Sequence, residues 1–157
     1  MTLALAEPDD FTLIIPKFST NFNFEIYGQG VLRNGNFENS LIEKNNLVKD
    51  YFKKSVYSTY LNLGRPVFRI KNICSSKESP KIFVIMDSYL KVVIPFLACV
   101  SREIIAVDPG KRNGEIHFDG SIKKFILKEK PDFVLLSYNV ATFDKDSKVI
   151  DNFTTFH

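Results

Sequence analysis

Among the 157 residues, the triplet Asp87-Ser88-Tyr89 holds the side chains best placed for chemistry. It follows an uninterrupted apolar run, Lys81 to Met86, and precedes a helical pattern, so it occupies a strand-to-helix turn. In such a turn the strand's carbonyl ends and the N–H groups of the next helix converge. A serine there has two readings. Its hydroxyl can cap the helix, or it can act as a nucleophile whose own N–H contributes to an oxyanion hole. Spacing alone favours the cap. Asp87 carries the same ambiguity, between capping and hydrogen bonding to the rest of the site.

A serine nucleophile needs a neighbouring base, and the chain has two histidines. His117 lies in Gly114-Glu115-Ile116-His117-Phe118-Asp119-Gly120, a loop before the last helix, and His157 is terminal. Neither has a spacing that brings it to Ser88, and a lone loop histidine is usually solvated. His117 is the base candidate that the residues offer. Cys74 and Cys99 stand at no metal-ligand spacing and form no disulfide framework. Two free thiols are expected, Cys99 as a small core residue, with no metal and no cofactor. A flavodoxin-like phosphate binder is disfavoured because no glycine-rich loop leads from a strand into a helix.

The composition describes a single globular domain over residues 1–157, with 45% hydrophobic residues and an aromatic core of 15 Phe and 6 Tyr. The net charge of +3 is scattered. Its densest groupings are the pairs Lys53-Lys54, Lys111-Arg112 and Lys123-Lys124, which is the pattern of a solvated surface and not of a nucleic-acid binder. Met1 to Ala6 is too short for a signal-peptide core, and no apolar run approaches the length of a membrane span. Neither an export signal nor a membrane segment is expected.

The elements that must position Ser88 are clearest from Lys81 onward. Strands are expected at Lys81 to Met86, Glu103 to Val107 and Phe133 to Ser137. Between them, Tyr89 to Val100 reads as a helix that Pro95 either kinks or restarts, and Ser121 to Lys130 as a helix capped by Ser121. This β-α-β-α-β core over 81–157 predicts a mostly parallel sheet with its functional groups at the C-terminal strand ends. Residues 1–80 read as a β-rich lead-in. Phe11 to Ile15 and Phe22 to Ile26 predict an N-terminal β-hairpin turning at Ser19-Thr20-Asn21, and Gly28 to Asn39 predicts a loop. Ser40 to Leu61 is expected to be helical in its first half, and Val67 to Ile70 to be a short strand.

The run KIFVIMDSYLKVVIPFLACVSREIIAVDPG from Lys81, followed by KKFILKEKPDFVLLSYNV, resembles the C-terminal half of the DHHW family and its alginate O-acetyltransferase-like SGNH relatives. The shared features are a strand ending in Asp-Ser-Tyr, a helix with Pro-Phe-Leu, a strand ending in Asp, and a Pro-Asp-x-Val-Leu strand. Asp10-Phe11 to Pro16-Lys17-Phe18 and Gly35-Asn36-Phe37-Glu38 resemble the stretch before the serine, so the similarity covers most of the chain. It implies an incomplete SGNH, flavodoxin-like three-layer sandwich. It also implies that Ser88 is the nucleophile with its N–H as an oxyanion donor, and that Tyr89, Asp108 and Asn139 line the substrate side. Arg112 is a displaced counterpart of the family's Asp-x-Arg arginine. The family's Asp/His motif falls upstream of Asp10, where this chain has nine residues.

The resemblance thus implies a truncated cell-envelope carbohydrate O-acyltransferase or esterase domain, inactive alone, with an acylated glycan or a missing N-terminal half-domain as partner. It suggests an extracellular or cell-envelope location. Incompleteness also predicts an exposed apolar edge through which the chain could oligomerise. The alternative is a non-enzymatic glycan- or protein-binding module on the same fold.

Overall fold

The computed structural model describes residues 12–27, 30–47, 56–61, 67–109, 111–112, 115–116 and 121–137. Six strands make its central sheet: β1 (Phe22–Ile26), β2 (Gly30–Gly35), β3 (Val67–Asn72), β4 (Lys81–Met86), β5 (Glu103–Val107) and β8 (Phe133–Ser137). Their order across the sheet is β2-β1-β3-β5-β4-β8. A separate antiparallel ribbon pairs β6 (Lys111–Arg112) with β7 (Glu115–Ile116). The helices are α1 (Phe37–Leu41), α2 (Ile94–Val100) and α3 (Ile122–Glu129).

β4, β5 and β8 match the strands expected from their apolar runs, and β4 pairs in parallel with β5 and with β8. The sheet as a whole is mixed, which corrects the expectation of a mostly parallel one: β1–β2, β1–β3 and β3–β5 are antiparallel. The reason lies in the burial pattern. In β4 and β5 residues on both faces are buried, whereas in β1 only Phe22, Phe24 and Ile26 are buried and Asn23 and Glu25 face out. A strand half in water suits antiparallel pairing, and one covered on both sides suits parallel pairing.

The N-terminal hairpin exists with a different partner. β1 pairs with β2, and not with residues 12–15; Phe11 lies outside the described residues. Residues 12–16 join no strand, and the backbone of Ile14 is held by a side chain: the Tyr60 hydroxyl accepts from Ile14 N–H at 2.9 Å and donates to Ile14 O at 3.1 Å. The expected loop at 28–39 instead contains β2 and the start of α1, which Asn36 caps by accepting from Asn39 N–H at 3.0 Å. β2 had no apolar alternation to reveal it, since it is an exposed outer strand. The helix expected in the first half of 40–61 is reduced to the end of α1 and a 3-10 turn at Lys44–Asn46; residues 48–55 lie outside the described set.

Two apolar layers hold the sheet. On one face Phe22, Phe24, Phe68, Ile70, Val84, Met86, Ile104 and Ala106 pack with Leu41, Tyr60, Ile94 and Ala98. On the other, Val67, Phe83, Ile85, Ile105 and Val107 pack with Ile122 and Phe125 of α3. Pro95 begins a new helical segment: it sits in the first turn of α2, where its missing N–H costs no hydrogen bond. The far end of α2 is tied down by Asn72, whose Nδ2 donates to Ala98 O at 3.0 Å.

Candidate functional site

The two helices that follow parallel neighbours leave on opposite sides. α2 follows β4 and packs in the layer containing Val84 and Ala106, while α3 follows β5 and packs in the layer containing Phe83 and Ile105. Chains diverging in this way make a topological switch point, where open α/β sheets form a crevice outside the C-terminal strand ends. Here those ends are Asp87-Ser88 after β4 and Asp108 after β5. Ile85 pairs with Val107, so Met86 stands level with Asp108 and the Ser88 turn lies on the same edge.

Local backbone demands build the turn. Asp87 N–H donates to Ser137 O at 3.4 Å, carrying the β4–β8 pairing one residue past the strand. The chain then enters a 3-10 helix over Ser88–Val92, and Asp87 caps it: Oδ1 accepts from Tyr89 N–H at 2.9 Å. Spacing favoured Ser88 as the cap; the structure corrects this, because the Tyr89 N–H is taken by Asp87 and the N-cap is Asp87. Ser88 and Tyr89 are exposed at the first turn, and Asp108 is buried, with 7% of its surface exposed.

The structure thus brings Asp87, Ser88, Tyr89 and Asp108 to one edge. Arg112 lies in the β6–β7 ribbon, where its backbone pairs with Glu115. His117, His157 and Asn139 lie outside the described residues. Among the described residues no group of three His, Cys, Asp or Glu could hold a metal ion. Cys74 and Cys99 are free thiols, and burial pushes the Cys99 thiol up.

Sequence reading missed Lys91. It lies in the same 3-10 turn three residues after Ser88, where residues at that spacing eclipse one another, yet it is only 7% exposed. Its signal was a lone charge between Leu90 and the apolar Val92-Val93-Ile94.

A half-buried charge network sits at the opposite, N-terminal end of the parallel strands. Lys81 Nζ bridges Glu129 at 2.9 Å and Glu103 at 3.5 Å, and Arg69 contacts the same two carboxylates at 2.9 and 3.1 Å. Burial raises the Glu129 carboxyl, but its hydrogen bond to Lys81 and the charges of Arg69 and Lys81 outweigh this and hold it below the usual range. This network ties β3, β4, β5 and α3 together. A cleft of about 270 Å³ is bounded by Ile15, Phe18, Thr20 and Phe37, and Thr20 Oγ1 there accepts from Phe37 N–H at 2.9 Å.

No family model matches the sequence, and no curated protein is significantly similar to it. Solved structures do share its fold. A DHHW family protein from Eubacterium siraeum superposes with a TM-score of 0.66 at 18% identity, over 93% of this chain and 44% of that one. Bacillus cereus PatB1 matches with a TM-score of 0.58 at 18% identity, over 85% of this chain and 40% of that one. PatB1 with a sulfonyl adduct gives 0.59 at 15% identity, over 85% and 42%. The chain thus spans less than half the length of these three structures, and over that span its fold is similar to that of a DHHW family protein and of PatB1.

Proposed function

We propose that this chain carries the nucleophile half of an SGNH-type, three-layer acyl-transfer domain acting on acylated carbohydrate at the cell envelope. Ser88 is the nucleophile equivalent, and the base lies outside the described residues. The observation that carries this reading is that Asp87, not Ser88, caps the turn at the switch-point edge. The serine is exposed there with its hydroxyl not used as the cap.

In the reaction, Ser88 Oγ attacks an ester carbonyl carbon, its proton passes to the base, and the alcohol leaves with a proton returned by that base. The Ser88 N–H, in the first turn of the 3-10 helix, donates to the developing oxyanion. Tyr89 and Asp108 flank the acyl group. Without a base the serine is a weak nucleophile, so turnover depends on one reaching Ser88. The fold likeness to PatB1 supports the reading: one PatB1 structure bears a sulfonyl adduct, and such adducts form when a nucleophile displaces the leaving group of a sulfonylating reagent.

The test is hydrolysis of 4-nitrophenyl acetate by the folded chain and by Ser88→Ala, with and without added imidazole as an external base. The two proteins are expected to match without imidazole and to separate with it. Ser88-dependent turnover without imidazole would place a base within the chain, with His117→Ala the next variant. Equal rates under both conditions would remove the acyl-transfer reading and leave glycan or protein binding, which the closed aromatic core around Phe22, Phe24 and Phe68 supports.

A further inference from the structure

We infer that Lys91 serves the Ser88 site as a positioning residue: its buried ammonium favours the negative charge that develops on Ser88 Oγ when the hydroxyl attacks. The inference rests on the nucleophile reading of Ser88 and adds to it a residue that the reading does not use.

Among the described residues the buried charged side chains are Lys91 and Asp108, each 7% exposed. Both stand at the C-terminal ends of neighbouring parallel strands, Lys91 in the 3-10 turn after β4 and Asp108 directly after β5. Arg69, Lys81, Glu103 and Glu129, at the opposite ends, are only half-buried and neutralise one another. Taking a charge out of water is costly. An apolar side chain at position 91 would avoid that cost, since Leu90 and Val92 on either side already pack against the core layer of Met86 and Ile94. Buried charges that break the local apolar pattern at a strand-end edge are the mark of a site more than of a fold.

Spacing and sign then decide the role. Ser88 and Lys91 are three residues apart in the 3-10 helix Ser88–Val92, so they eclipse, with their Cα atoms about 6 Å apart along the axis. The exposed serine thus has a buried lysine one turn below it. Two carboxyls at this edge, Asp87 and Asp108, oppose a negative charge on Ser88 Oγ. Lys91 is the cation among the described residues of the turns after β4 and β5, and it offsets them. A cation at such a separation lowers the pKa of a neighbouring acid by about one to three units. Lys91 acts through the Ser88 hydroxyl in this way, while the proton itself passes to the base.

The rate of Ser88 sulfonylation by phenylmethanesulfonyl fluoride, measured on the full chain with imidazole present, tests the inference. In that step Oγ bonds to sulfur, fluoride leaves and the hydroxyl proton passes to imidazole. Lys91→Met removes the charge, Lys91→Arg keeps it, and Lys91→Gln is a second neutral variant should the methionine protein fail to fold. The neutral variants are expected to react slower on the order of tenfold, and Lys91→Arg to retain most of the rate. Urea midpoints of the same proteins separate charge from packing. Equal rates in wild type and neutral variants would overturn the role of Lys91 and leave the nucleophile reading standing. So would rates that follow the urea midpoints and not the charge. Modification that needs no imidazole and is lost in Lys91→Arg would make the lysine the base and overturn its role as a charge. A wild-type Ser88 that does not react at all would remove the nucleophile reading, and this inference with it, before any variant is compared.

Discussion

Asp87 Oδ1 accepts the Tyr89 N–H at 2.9 Å, and that one bond closes the start of the 3-10 turn carrying Ser88. Two neighbouring side chains thereby take different roles, the carboxylate holding the backbone while the hydroxyl remains at the exposed edge.

Asp87→Ala removes this cap and is expected to cost about 1 kcal/mol of stability. Asp87→Asn retains an acceptor oxygen and should cost less. Urea unfolding of the two variants checks this, and equal losses would show that the carboxylate acts through its charge and not as an acceptor.

Phe83 is fully buried in β4 and meets Phe125 of α3 edge-on, with centroids 5.3 Å apart and rings at 89°. Phe83→Ala should destabilise the chain by about 3–5 kcal/mol through the cavity and the lost transfer energy. A loss below about 1 kcal/mol by denaturant titration would mean that α3 is not held by this contact.

The charge network at the N-terminal strand ends predicts acid sensitivity. The Lys81 backbone N–H, donating at 2.7 Å, and Arg102 hold the Asp132 carboxyl below its usual value, and Glu129 is lowered by Lys81 and Arg69. A carboxylate whose folded pKa lies below its unfolded one contributes stability above the unfolded value, lost as pH falls through the folded one. Stability should therefore decline on acidification below about pH 5. Glu129→Gln should flatten that decline, and parallel stability curves for the two proteins would contradict the assignment.

Lys130 ends α3 in the left-handed region, at φ 47°, while its N–H donates to Ile126 O at 2.9 Å. Glycine adopts this conformation without strain, so Lys130→Gly should raise stability by up to about 1 kcal/mol. A lower melting temperature would show that the lysine side chain contributes more than its backbone costs.

The strands flanking Ser88 were legible because they are buried on both faces: Lys81–Met86 and Glu103–Val107 are apolar at every core position and bounded by turns. Phe133–Ser137 was legible by the same pattern although its faces are exposed, since the pattern records cover that the described residues do not provide. β2 was not legible, because Gly30–Gly35 is an exposed outer strand without apolar alternation, and it could not be told from the competing run at Phe11 to Ile15 as the partner of β1. At the site, spacing pointed to Ser88 as the cap, and only the Tyr89 hydrogen bond assigns that role to Asp87. Lys91 was overlooked because helical periodicity says nothing of a charged side chain buried in a 3-10 turn.

The most direct measurement is the location of a sulfonyl adduct. The folded chain is treated with phenylmethanesulfonyl fluoride in the presence of imidazole, digested, and the modified peptide is identified by mass spectrometry. The account predicts modification at Ser88, dependent on imidazole and absent from Ser88→Ala. An unmodified Ser88 in a chain shown to be folded by circular dichroism would contradict it.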